Sequence, residues 1–160
     1  MAILIEETEV RGWEAAIRGM RHLHGGIDKS DSEFNVPCNI CDNPNYDCDD
    51  CPVRYMKDKA LIGKNDLAIM KKLAADDSKF MQMIVVTCDI SAPLYWWEIF
   101  DTYKIGTVRN GHNRKSTVQM NYAVLHKMYR SKKNNYLNEW KEFRKWIESL
   151  PYSELIIRRK

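Results

Sequence analysis

Four of the five cysteines fall in two pairs, Cys38-Asn-Ile-Cys41 and Cys48-Asp-Asp-Cys51, a CxxC-x6-CxxC pattern. Each CxxC turn can present two thiolates to one tetrahedral ion, and four protein thiolates leave no open position for a substrate. The chemistry this spacing points to is a structural zinc held by Cys38, Cys41, Cys48 and Cys51. An iron–sulfur cluster, another metal, redox pairs or unligated thiols are the alternatives. The interval between the pairs is shorter than the roughly 15–20 residues of a zinc ribbon, but Asn43, Pro44 and Asn45 supply turn chemistry. Asp42, Asp47, Asp49 and Asp50 crowd the same loop, and their charge would keep the thiols protonated unless a cation offset it. Cys88 lies in an apolar run and reads as a buried core thiol.

A second group of residues could bind anions. After Gly106 comes the polar stretch TVRNGHNRKST, with Asn110-Gly111 as a turn and Arg109, His112, Arg114 and Lys115 displayed on it. Loops set beside a core helix commonly carry such groups. Arg109, Arg114, Lys115, Asn121 and Arg130 offer charge-assisted donors for a phosphate or a nucleotide. Trp96, Trp97 and Tyr103 offer faces for a base, although an aromatic stripe on a helix is more often core. Residues 1–100 carry 11 basic and 17 acidic side chains, whereas residues 101–160 carry 14 basic and 5 acidic. That asymmetry points to an anionic partner for the C-terminal part; the blander reading is a solvated surface paired with the acidic half. There is no P-loop, GxGxxG, HExxH or GxSxG. His22 and His24 would point to different faces of a helix, His126 and Glu154 lack recognisable partners, and Glu98 with Asp101 would face solvent or a basic neighbour.

The elements that must position these groups are organised around residues 84–106. Ile84–Asp89 is β-branched and apolar and predicts a strand. Ser91 as cap, Pro93 in the first turn and Gly106 as stop predict a helix over Ala92–Lys104, aromatic on nearly all sides and buried there or against a second chain. Upstream, Ile3–Val10 predicts a strand. Gly12–Leu23 predicts a helix with Trp13, Ala16, Ile17 and Met20 on one face. Residues 24–37 read as loop, a helix capped by Asn65 follows, and SKFMQM is a short helical turn. Downstream, helices are predicted over Thr117–Ser131, with Val118, Tyr122, Leu125 and Tyr129 inward, and over Asn135–Ser149, with Trp140, Phe143, Ile147 and Leu150 inward. The chain of 160 residues, 44% hydrophobic and 29% charged, is one globular α+β domain's worth, with a Cys-rich insertion at 37–52. No apolar run approaches a membrane span, and MAILIEETEV lacks a secretion signal, so a cytoplasmic protein without a disulfide framework is expected.

The run APLYWWEIFDTYKIGTV, with NYAVLHKMYRSKKNNYLNEWKEFRKWIESLPYSEL, resembles a family from bacteria and their viruses that is similar to the flavin-dependent thymidylate synthases (ThyX). The resemblance covers residues 65–157. The synthase run Arg-His-Arg falls on Thr102, Tyr103 and Lys104, and its first Ser on Thr107. Asn-Glu falls on Arg109 and Asn110, and Ser-x-Arg on His112, Asn113 and Arg114. Only Arg114 is identical, with Lys104 and Thr107 conservative; Asn121, opening a helix, and Lys132 are further partial matches. Arg114 and Asn121 are only seven apart, where the synthases place a substantial segment. A flavin held edge-on to a pyrimidine cannot survive loss of most of that shell. The resemblance therefore implies a ThyX-like α+β fold without FAD, catalytically degenerate and binding a nucleotide or other phosphate-bearing ligand in a regulatory or sequestering role. It also implies a homo-oligomer, since such synthases share their sites between subunits. The alternative is a small phage-derived interaction or inhibitor protein acting on a host or defence protein. Residual flavoenzyme activity on a pyrimidine nucleotide is the remaining one.

Overall fold

Side chains that alternate between core and solvent mark out four strands. The chain runs β1 (Leu4–Arg11), α1 (Trp13–Leu23), a 3-10 turn (Ile27–Lys29), α2 (Lys64–Ala74), α3 (Phe80–Met83), β2 (Val85–Ser91) and α4 (Leu94–Phe100). It continues as β3 (Thr107–Gly111), β4 (Lys115–Asn121), α5 (Tyr122–Arg130), α6 (Asn138–Glu148) and α7 (Glu154–Ile157). The computed structural model describes residues 2–36, 51, 55–74, 79–112 and 114–158. The strands form one antiparallel sheet in the order β1-β2-β4-β3. The architecture is α+β, as expected. Val86, Cys88 and Ile90 of β2 and Ser116, Val118 and Met120 of β4 are buried, while Lys115, Thr117 and Gln119 between them are exposed. One face of the sheet therefore carries the core and the other is polar, the usual economy of an antiparallel sheet. Burial, with Asp89 beside it, pushes the Cys88 thiol well above its ordinary pKa, in keeping with a core role.

The first strand bulges. Glu6 pairs with Asp89 and Glu9 with Thr87, leaving Glu7 and Thr8 opposite Cys88, with Glu7 at φ 55°. Within the bulge, Thr8 Oγ1 accepts from Trp146 Nε1 at 3.2 Å, which ties α6 to the sheet.

Three expectations are corrected. Residues 107–117 are not loop but the β3–β4 hairpin, in which Thr107 pairs with Met120 and Gly111 with Ser116. The helix expected over Thr117–Ser131 begins only at Tyr122, because its first residues complete a seven-pair ladder with β2, from Val85–Asn121 to Ser91–Lys115. Thr117 and Val118 are β-branched and suit that strand. The helix expected over Ala92–Lys104 is the shorter Leu94–Phe100, and Ser91 ends β2 instead of capping it. Gly106, at φ 92°, is nonetheless required: a Cβ there would lie 2.8 Å from Asn121 Nδ2.

The aromatic stretch is core. Trp96 and Trp97 are 0% and 2% exposed, and Trp96 contacts Trp97, Phe100, Trp140 and Phe143 with ring centroids 5.0–5.5 Å apart. Tyr103 stacks on Trp140 at 6.2 Å. α6 thus covers α4 with the face predicted for it, and Trp140, Phe143, Ile147 and Leu150 are all buried. Because this burial is achieved within one chain, the apolar circumference of α4 does not by itself call for a second. The C-terminal LII also docks, with Leu155 and Ile156 buried. Among the described residues no helix is long and apolar enough to cross a membrane.

Candidate anion-binding site

The hairpin tip is the most elaborated polar region near the expected site residues. Arg109 sits on β3 with its guanidinium carbon 3.9 Å from the centroid of the Trp97 ring. Its Nη1 donates to Asp101 Oδ2 at 2.7 Å, its Nε to Ser116 Oγ at 3.0 Å and its Nη2 to the His112 carbonyl at 3.3 Å. Ser116 Oγ also donates to the His112 carbonyl, at 3.2 Å. The Arg114 carbonyl accepts from Ala92 N at 2.8 Å and from Trp97 Nε1 at 3.3 Å. The tip is therefore clamped along α4, from Ala92 before it to Asp101 at its end, through its backbone and through Arg109. Asp101, expected to meet solvent or a basic neighbour, meets Arg109.

This geometry separates the five expected donors. Arg109 is engaged within the protein by three hydrogen bonds and the Trp97 ring. Arg114 and Lys115 are exposed at the tip, with Lys115 Nζ 3.7 Å from Glu6 Oε2. Asn121 caps α5, its Oδ1 accepting from Val124 N at 2.8 Å, which agrees with its expected place at a helix start. Asn121 ends the strand that Lys115 begins, so the two lie about 20 Å apart at the usual rise per residue. Arg130 is exposed at the end of α5, about 13 Å further along the chain's path at the rise of a helix. One pocket does not collect all five. Nor do the aromatics offer a platform, since Arg109 lies over the Trp97 ring, Trp96 is enclosed and Tyr103 is stacked.

Cys38, Cys41 and Cys48 lie outside the described residues; Cys51 is half-buried near Tyr152. Among the described residues no group of three or more His, Cys, Asp or Glu is arranged to hold a metal.

One polar cluster went unpredicted. Arg21 (5% exposed) donates from Nε to Oδ1 of the fully buried Asp66 at 2.6 Å. Ser30 Oγ and Ser32 Oγ both donate to Asp66 Oδ2, at 2.6 and 2.5 Å. Asp31 accepts from the backbone N–H groups of Asn65 and Asp66, so it, and not Asn65, satisfies the start of α2. Those backbone bonds and the nearby Arg21 charge hold the Asp31 carboxyl below its ordinary pKa against the opposing, largest effect of desolvation. The signal was present in the spacing: Asp66, Met70 and Ala74 are all buried on one stripe of α2, and Arg21 lies four residues beyond Ile17 on that of α1. The cluster fastens the 24–36 segment to both helices, which is a structural role. Comparison with protein-family models, with curated proteins and with solved structures gives no match for this chain, so the ThyX-like reading rests on the residues quoted for it.

Proposed function

We propose that this chain is a non-enzymatic anion binder, a catalytically degenerate ThyX-like protein that holds a phosphate-bearing ligand at the hairpin tip through Arg114 and Lys115. The observation that carries the reading is the division of labour at the tip. Arg109 pairs with Asp101 and is engaged in the fold, while Arg114 and Lys115 are exposed, with Glu6 3.7 Å from Lys115 as the one ion pair of the two among the described residues. With the aromatic faces occupied, the phosphate and not the base supplies the recognition, which suits a regulatory or sequestering role better than flavin chemistry. A structural zinc on Cys38, Cys41, Cys48 and Cys51 is part of the same proposal, supported by their spacing. The test is a melting-temperature titration with inorganic phosphate, sulfate and mononucleotides. A rise that shrinks with added salt and is lost in Arg114→Ala is expected; an unmoved curve with all of them overturns the reading.

A second reading, a small interaction protein, is favoured by the outer edge of the sheet. β1 is protected by its bulge, its acidic side chains and the Tyr55–Lys57 backbone, which bonds to Val10 on both sides at 2.7 Å. β3 has no such cover among the described residues, and Val108 on it is 60% exposed and Ile105 just before it 86%. A strand from a host protein, or from a second copy, would pair there. Light scattering that shows a dimer converted to monomer by Val108→Lys would support the second copy, and a monomer throughout would exclude it.

A further inference from the structure

Positive charge concentrates at the corner between α5 and α6. Residues 127–145 hold seven cations, namely Lys127, Arg130, Lys132, Lys133, Lys141, Arg144 and Lys145, against only Glu139 and Glu142. That balance of +5 exceeds the +3 of the whole chain. All but Arg144 are exposed, and none of these exposed cations has an ion-pair partner among the described residues. Glu139 is engaged by Tyr95, whose hydroxyl donates to it at 2.5 Å.

The fold draws these groups together. Arg144 bonds to the Ser131 carbonyl and to Asn135 Oδ1, which folds the Ser131–Asn135 turn against the middle of α6. Lys132 and Lys133 therefore lie beside the side of α6 that carries Lys141, Arg144 and Lys145, which are neighbours there at spacings of three and four. Tyr136, which follows that turn, is 75% exposed. An exposed ring among uncompensated cations is the pairing that holds single-stranded nucleic acid: cations follow the phosphates and the ring stacks on a base.

We propose that the α5–α6 corner binds single-stranded nucleic acid, with Arg130, Lys132, Lys133, Lys141 and Lys145 on the phosphates and Tyr136 against a base. A duplex is less suited, because a helix-connecting turn offers no element that enters a groove. The proposal does not rest on ligand binding at the hairpin tip.

The experiment is fluorescence anisotropy with a labelled 20-nucleotide oligo-dT on the full chain. Five phosphate contacts give a logarithmic salt slope near −3.5, so affinity should fall about 100-fold between 50 and 200 mM salt. Lys132→Gln/Lys133→Gln should flatten that slope by about 1.4. Tyr136→Ala should weaken binding about ten-fold with the slope unchanged, the mark of a stacking contact. Lys71→Gln, at an exposed lysine of α2, should leave oligo-dT binding and its salt slope as they are. Each variant's melting curve confirms that it is folded. Absence of binding at 50 mM salt, indifference to both variants, or equal competition by duplex DNA, heparin or anionic vesicles per charge would each overturn the assignment.

Discussion

Replacing Arg109 tests whether the hairpin tip is held by charge alone or by the shape of a guanidinium. Arg109→Met removes an ion pair to Asp101, which is about half exposed and worth about 0.5 kcal/mol. It also removes a contact with a buried indole, worth up to about 2 kcal/mol where the ring is desolvated. The hydrogen bonds to Ser116 and the His112 carbonyl add about 1 kcal/mol. Since the contributions share one side chain and are not additive, a net loss of about 2–3 kcal/mol is expected. For a chain of this length that corresponds to a fall of about 4–12 °C in melting temperature. Arg109→Lys keeps the charge and the reach to Asp101 but not the planar fork, so it should recover less than half of the loss. Urea unfolding at low and high salt separates the contributions, because screening weakens the Asp101 pair and leaves the ring contact. Full rescue by lysine, or a loss below about 0.5 kcal/mol for Arg109→Met, would refute the clamp, a loss so small being no more than a surface pair yields.

Asp66→Asn should cost about 3–5 kcal/mol in urea unfolding, because it leaves the Arg21 guanidinium buried without its counter-ion. The double variant Arg21→Met/Asp66→Leu should recover most of that, and a single-variant loss under about 1 kcal/mol would show the pair to be dispensable. Elemental analysis should find one zinc per chain, absent from Cys48→Ser together with part of the melting temperature; zinc-free wild-type protein would remove the metal from the account. Burial, with the charge of Glu154 added, raises the Tyr122 hydroxyl well above the ordinary tyrosine pKa. Above pH of about 10 the unfolded chain then binds fewer protons than the folded one, so stability is complete below that pH and falls as pH rises. Tyr122→Phe loses the 2.6 Å bond to the Pro151 carbonyl, about 1 kcal/mol at neutral pH, but should show a shallower alkaline decline; an unchanged decline would place its cause elsewhere.

Local patterns in this chain were legible wherever one element's period ran undisturbed. Trp13, Ala16, Ile17 and Met20 are all buried, as their helical spacing requires, and Trp140, Phe143, Ile147 and Leu150 likewise. Legibility failed where two periods meet. Val118, Tyr122 and Leu125 are at helical spacing and all are buried, yet Val118 reaches the core from a strand and the others from a helix. Only the partner strand decides between the two, and β2 is about thirty residues away in sequence. The same non-locality governs the site. Residue type marks Arg109 and Lys115 alike as candidate anion-binding groups, but the two alternating faces of the hairpin set them apart. Arg109 shares the inner face with Val118, opposite which it pairs, and meets Trp97 and Asp101 there. Lys115 lies on the outer face with Thr117 and Gln119. A one-residue change of register would exchange those faces and send Arg109 to solvent. The split between the arginine that builds the tip and the lysine left exposed beside it is therefore a property of the ladder between β3 and β4, and it exists only once that ladder has formed.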